Sequence, residues 1–502
     1  MQVIETHVSR VLLEGPWAYK VKKPLVLPFL DFSTPERRRH FCEEELRINA
    51  RTAPELYVDV LPLSVSWEQF VKAPEAALAG SDASHAIDWV LRMRRFGPDD
   101  LLSQRAAAGR LSHEQIDQLA VHVGRFHGGL PPVPAEWQPR KALTESVEAS
   151  WQAVLAHTAR PAHVSQGDIL AVRERMALQL QALSPWMAAR RQAGWVRECH
   201  GDLHLANLVD WRGEVMAFDA IEFDADLRYI DVMNDVAFAF MDQLAHGQPA
   251  LAWRFVSGWV EQTGDADGLK GLRLFAAYRA LVRAHVALLG SGGAQAFDRY
   301  WACLQGLLAD PPAPRLWLMM GVSGSGKSTV AALLRDALAA RGEPVVRIRS
   351  DVERKRWLGV AATDRPTPEQ VSEWYGADAT RHTYERLQGM ARDALAAGCS
   401  VVVDAASLRL AERRAMHDLA GHAGAGFALV ACSAPESEMT SRLAERQRQG
   451  LDPSDAGVDV LMRQLGFVEP VTIDEQADTH VIVNDGDLET LRQRVFALSA
   501  RW

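Results

Sequence analysis

Two segments of this chain are equipped to handle phosphate, and they do so by different means. One is Gly321-Val322-Ser323-Gly324-Ser325-Gly326-Lys327-Ser328-Thr329; the other is His200-Gly201-Asp202-Leu203-His204-Leu205-Ala206-Asn207, with Phe218-Asp219 beyond it. In the first, glycines free the backbone to turn its amides toward an anion at the start of a helix. Lys327 would then reach the β- and γ-phosphates and Ser328 a magnesium ion. In the second, Asp202 is a carboxylate suited to an acceptor hydroxyl. Asn207, five residues on, offers an amide oxygen to a metal, and Asp219 could bridge metal to phosphate. Both patterns point to phosphoryl transfer.

Further residues are expected to complete each site. In Trp17-Ala18-Tyr19-Lys20-Val21-Lys22 the side chains alternate, so Ala18, Lys20 and Lys22 share a face. A small residue two before a lysine leaves room for an adenine ring. Lys20 is thus the expected phosphate-gripping lysine, with Lys22 in reserve. A helix is expected to open at Ser33-Thr34-Pro35-Glu36 and run from Pro35 to Asn49. At 100° per residue, Glu45 falls within the apolar arc of Phe41, Cys42, Leu46 and Ile48, so it is the expected partner of Lys20. In the second half, Asp351 and Asp404 end apolar runs on the same edge as the glycine loop. Asp404 suits a magnesium-water contact; Asp351, with Arg354 one turn on, suits an acceptor hydroxyl. Arg442 and Arg446, four apart on a helix, read as a lid over the transferring phosphate, so the nucleotide contacts expected there are Gly321, Ser323, Gly324, Ser325, Gly326, Lys327, Ser328, Thr329, Arg442 and Arg446.

The elements that must hold these residues divide the chain. Ala309-Asp310-Pro311-Pro312-Ala313-Pro314-Arg315 reads as a stiff joint between a domain over 1–308 and another over 316–502. Residues 3–30 and 56–72 read as strands, and the stretch from about 115 to 288 as mostly helical. That is the layout of an α+β, protein-kinase-like, two-lobed domain. After the joint, apolar runs at 316–320, 345–348, 401–403, 427–432 and 480–483 alternate with helical stretches. They predict an α/β three-layer P-loop NTPase domain built on a parallel sheet.

Bulk composition fits this reading. The 502 residues are 48% hydrophobic and 24% charged, with a net charge of −9, which argues against a nucleic-acid partner. Five scattered cysteines without a C-x-x-C pair read as reduced thiols. The polar start and the lack of a long apolar run predict a cytoplasmic protein without membrane contact.

HGDLHLANL followed by FDAIEF resembles the signature of the aminoglycoside phosphotransferase-like kinases. That resemblance implies Asp202 as catalytic base and Asn207 and Asp219 as metal ligands. GVSGSGKST, IRSDVERK, VVVDAAS and the arginine-rich lid resemble P-loop kinases of small metabolites and nucleic-acid ends, namely gluconate kinase, zeta-toxin and polynucleotide-kinase relatives. The order of the halves, over essentially the whole chain, is similar to bifunctional aminoglycoside phosphotransferase/ATP-binding proteins. ATP, Mg2+ and a small-molecule hydroxyl acceptor are the implied ligands. Two features leave alternatives open. The first hairpin, at Thr6-His7-Val8-Ser9-Arg10, lacks a G-x-G-x-x-G, so one domain could sense nucleotide or ligand instead of turning it over. The second domain could instead phosphorylate nucleic-acid ends. Glu222, Asp224 and Asp226 are candidate acids for meeting an ammonium-bearing acceptor.

Overall fold

The computed structural model describes residues 1–27, 30–158, 160–290, 293–367, 369–449 and 452–501. Pro28 and Phe29 of the strand-like stretch, and Gly450 at the end of the lid segment, lie outside them. The chain forms two compact units: Met1–Asp242 with Tyr278–Ala302, and Gln243–Ala277 with Cys303–Trp502. Residues 243–277, which the sequence groups with the helical lobe, therefore belong to the P-loop unit.

The first unit begins with a five-stranded antiparallel sheet. Its order is Gln2–Glu5, Ser9–Glu14, Trp17–Lys22, Asp88–Arg94, Tyr57–Leu63. Asp88–Arg94 is a central strand that the sequence reading passes over, although Trp89, Val90, Leu91 and Met93 are all buried. The stretch 56–72 is not one strand. Strand ends at Leu63, and Ser66 starts a short helix, Trp67–Lys72, by a reciprocal capping box with Gln69.

Helix Pro35–Asn49 is capped by Thr34, whose side chain accepts from the Arg37 amide. It covers one face of the sheet, where Ala18, Cys42, Leu56, Tyr57, Leu91 and Met93 form a core that continues to Val209 and Met216. The opposite face packs Leu12, Tyr19, Val21 and Val90 against Phe70. Beyond the sheet the unit is largely helical. Exceptions are the antiparallel pair Val196–Glu198 with Tyr229–Asp231 and the hairpin Leu208–Trp211 and Glu214–Ala217, whose turn places Arg212 and Gly213 at φ of 54° and 90°.

The P-loop unit is built on a five-stranded parallel sheet in the order Val345–Arg349, Ser400–Asp404, Arg315–Met320, Gly426–Ser433, Thr479–Val483. Its inner strands are continuous apolar runs, as burial on both faces requires; Leu316, Trp317, Leu318, Val401, Val402 and Val403 are fully buried. Helices Lys327–Ala340, Ala377–Ala396, Leu410–His422 and Leu488–Ser499 accompany it. Arg315, placed by sequence in the joint, starts the central strand. No helix among the described residues is long and apolar enough to cross a membrane.

Candidate functional site

In the first unit, Lys20, Lys22, Glu45, Asp219 and Glu222 form one ionic network. Lys20 Nζ lies 2.7 Å from Glu45 Oε1 and 2.7 Å from Asp219 Oδ1. Lys22 Nζ lies 2.7 Å from Glu45 Oε2 and also bonds Glu222. The two lysines differ in access. The Lys20 side chain is 14% exposed and faces Asp219, which is 44% exposed, whereas Lys22 and Glu45 are sealed.

Burial opposes every charge in this network, and the opposite charges mostly win. Burial would depress the Lys20 ammonium, yet Asp219, Glu45 and Glu222 hold it well above its ordinary value. Burial would raise the Glu45 carboxyl, yet Lys20 and Lys22 bring it down to about 2. Glu222 goes the other way: burial pushes it up against the pull of Lys22. Glu222 is therefore not a free acid for an acceptor. Asp224 and Asp226 are likewise engaged, both by Arg140.

Asp219 sits at φ +60°, a strained setting for a non-glycine residue, and its amide donates to Tyr57 Oη at 3.0 Å. The Ala220 amide donates to Asn49 Oδ1 at 2.9 Å, so helix and sheet residues fix the Asp219 segment on both sides. Tyr57 and Asn49 carry no sequence signal for this role. Asn207 Nδ2 donates to the Asp202 carbonyl (3.0 Å) and to Asp202 Oδ2 (2.9 Å), which leaves Asn207 Oδ1 as the atom for a cation.

Burial raises the Asp202 carboxyl, but His204, His200 and Arg283 overcome this and hold it well below the ordinary carboxylate range. The loop itself is braced from behind. Asp235 accepts from the amides of His200 (3.0 Å) and Gly201 (2.9 Å) and pairs with His127. Gly201 has φ +85°, and a Cβ there would lie 2.7 Å from the Leu227 carbonyl oxygen, so only glycine fits. The first hairpin turns Ser9 inward. Ser9 is fully buried and pairs in register with Lys22.

In the P-loop unit the predicted residues line a cavity of about 1210 Å³. Ser323, Gly324, Gly326, Lys327, Ser328, Thr329, Asp351, Asp404, Arg442 and Arg446 all face it; Gly321 and Ser325 do not. Gly321 instead donates its amide to Ala406 O, and the Ser325 hydroxyl is buried without a partner. Gly326 has φ +89°, and a Cβ there would fall 1.9 Å from Asn484 Nδ2.

Lys327 Nζ bonds only the Val322 carbonyl, at 2.9 Å, and has no carboxylate within ion-pair distance among the described residues. Burial lowers its pKa despite Asp404 nearby, as expected of a cation built to receive an anion. Ser328 Oγ donates to Asp404 Oδ1 at 3.2 Å, while Asp404 Oδ2 is buried without a hydrogen bond. These orphaned groups fit a magnesium nucleotide. Asp351 sits in the first turn of helix Ser350–Leu358, whose cap is Arg349. Arg442 bonds Asn484 O (3.1 Å) and Arg446 bonds Ala456 O (2.7 Å), both from helix Glu436–Gln449. Gln464 was not foreseen: its Oε1 accepts from the Ser323 amide at 2.6 Å.

Residues 316–471 match the family model described as an AAA domain. Uncharacterized proteins of Mycobacterium tuberculosis and Mycobacterium bovis are 28% identical to the chain over 464 residues, 89% of this chain and 86% of theirs. Among solved structures, a gluconokinase from Sinorhizobium meliloti is 24% identical, with 38% of this chain and 93% of that one covered and a TM-score of 0.25. A choline/ethanolamine kinase family protein from Mesorhizobium loti is 11% identical, with 62% and 88% covered and a TM-score of 0.37.

Proposed function

We propose that this protein is an ATP- and Mg2+-dependent phosphotransferase with two nucleotide sites, each passing the γ-phosphate to a hydroxyl of a small molecule such as a sugar or aminosugar. The observation that carries this reading is the half-buried Lys327, without a carboxylate partner among the described residues, beside the Ser328–Asp404 pair on a large cavity. An anion in the cavity would supply the counter-charge that Lys327 lacks.

In the P-loop site, backbone amides and Lys327 hold the phosphates, Arg442 and Arg446 meet the charge on the moving phosphoryl group, and Asp351 takes the acceptor proton. In the kinase-like site, Lys20 holds phosphate while Glu45 keeps its ammonium in place. Asp202, kept ionised, takes the proton of the acceptor hydroxyl as the new O–P bond forms and the bridging P–O bond to the departing diphosphate breaks. Asn207 with Asp219 in one site, and Ser328 with Asp404 in the other, would hold Mg2+, which when bound supplies charge neutralisation on the phosphate oxygens. Because Glu222, Asp224 and Asp226 are already paired, recognition of an ammonium group would need other acids.

Purified full-length protein, assayed for ATP consumption against sugars, aminosugars and nucleosides, tests the reading. Asp202→Ala and Lys327→Ala should each remove a separate part of the activity. Transfer unaffected by both changes would overturn it.

A further inference from the structure

Helix Pro249–Thr263 comes from the sequence before the proline-rich joint, yet it belongs to the P-loop unit. There it packs on helix Lys327–Ala340 and strand Val345–Arg349, the two elements that deliver Ser328 and Arg349. One residue of this helix reaches the back of the site. Glu261 Oε2 accepts from Arg347 Nη2 at 3.1 Å, and its Oε1 from Arg349 Nη1 at 3.3 Å.

Each arginine then continues inward. Arg347 Nη1 donates to the Ser328 carbonyl at 3.3 Å. Arg349 Nε lies 3.6 Å from Asp404 Oδ2, and its Nη2 lies 3.5 Å from Asp452 on the cavity wall. One largely buried carboxylate, 17% exposed, thus fixes the cations that lean on both members of the Ser328–Asp404 pair. Register supports this, since Arg349 and Asp404 are paired at the ends of neighbouring strands. Without Glu261, two adjacent arginines would repel each other, and Arg349 would be free to move fully onto Asp404 and neutralise it.

We propose that Glu261 is a positioning residue for the magnesium-binding pair of the P-loop site, so that this site is complete only with the segment 243–277. The inference rests on the reading of Ser328 and Asp404 as the Mg2+ site. It separates Glu261 from the other contacts of its helix. Arg254 Nη1 bonds Asp336 at 2.8 Å and Arg356 Nη1 bonds the Gln262 carbonyl at 2.9 Å; these dock the helix but touch neither Ser328 nor Asp404.

The test uses the full chain carrying Asp202→Ala, with P-loop activity defined as the ATP turnover that Lys327→Ala removes. Glu261→Gln should raise the Mg2+ concentration for half-maximal turnover by about tenfold or more, the usual effect of losing a residue that orients metal ligands. The apparent KM for ATP at saturating Mg2+ should stay near wild type. In protein free of metal and nucleotide, the same change should speed amide hydrogen exchange at 327–330 and 403–405. Arg254→Ala should leave the Mg2+ dependence unchanged. Arg349→Lys, which breaks the bridge from its other end, should reproduce the Mg2+ shift and decides the matter if Glu261→Gln does not fold. An unchanged Mg2+ dependence in folded Glu261→Gln, or in Arg349→Lys where Glu261→Gln does not fold, or an equal shift in Arg254→Ala, would overturn the proposal. If Lys327→Ala removes no turnover at all, the reading of the P-loop site itself fails, and that outcome is visible before any Glu261 variant is compared.

Discussion

The two sites solve one electrostatic problem in opposite ways. The P-loop unit leaves its key cation without a carboxylate partner among the described residues; Lys327 bonds the Val322 carbonyl and burial lowers its pKa. The first unit compensates its cations in advance, with Lys20 and Lys22 sharing Glu45 and ending on Asp219 and Glu222. A site of the first kind is made by a few contiguous residues. A site of the second kind is made by a network whose ion pairs join residues 23 to 200 positions apart. The first should therefore fail by losing ligand, and the second by losing stability.

The sharpest break of this comparison is chemical. In the full chain carrying Asp202→Ala, Lys327→Ala should lower the remaining ATP turnover by roughly 10²–10³-fold, as removal of a charge-stabilising donor does. Its unfolding midpoint should stay near wild type, measured by thermal denaturation without nucleotide. The second break is structural. Lys22→Met leaves Glu222 without its lysine and Glu45 with Lys20 alone, and should cost about 3–5 kcal/mol in denaturant unfolding. Lys20→Met, next to the half-exposed Asp219, should cost less stability but abolish phosphate transfer by this unit.

Acid supplies a graded test. Glu45 has its carboxyl at about 2 in the folded chain against an ordinary value of 4.5. Its contribution is present in full above about pH 4.5 and is lost as pH falls toward 2. The stability gap between wild type and Glu45→Gln should accordingly be constant from pH 7 to pH 5 and shrink below that, followed by denaturant titration at each pH. The smallest effect is expected at Arg140, which is 72% exposed. Arg140→Ala should change stability by about 1 kcal/mol or less, although it releases both Asp224 and Asp226.

The same contrast explains what could be read in the sequence. The P-loop, its strand and its helix are adjacent in the chain, and each glycine has a local reason to be there. Gly326 needs φ +89° and cannot carry a Cβ against Asn484. Glu45 was legible too, because helical phase alone puts it among apolar neighbours. Tyr57, Asn49, Gln464 and Glu261 were not. Each acts through one or two hydrogen bonds or ion pairs to a distant segment, and nothing local in its neighbourhood distinguishes it. Strand Asp88–Arg94 was missed although its interior is apolar, and 56–72 was read as one strand although Ser66 and Gln69 have the spacing of a capping box. The division at 309–315 marks a change of chain composition. The compact units instead assign 243–277 to the second, because Glu261, Ser257 and Arg254 find their partners there.

Counting bound nucleotide tests the central claim most directly. Equilibrium binding of a non-hydrolysable ATP analogue with Mg2+ to the full chain should saturate at two per molecule. Lys327→Ala and Lys20→Met should each bring it to one, and the double variant to none. A wild-type stoichiometry of one, or one site that both changes abolish together, would contradict two independent phosphate-handling sites on this polypeptide.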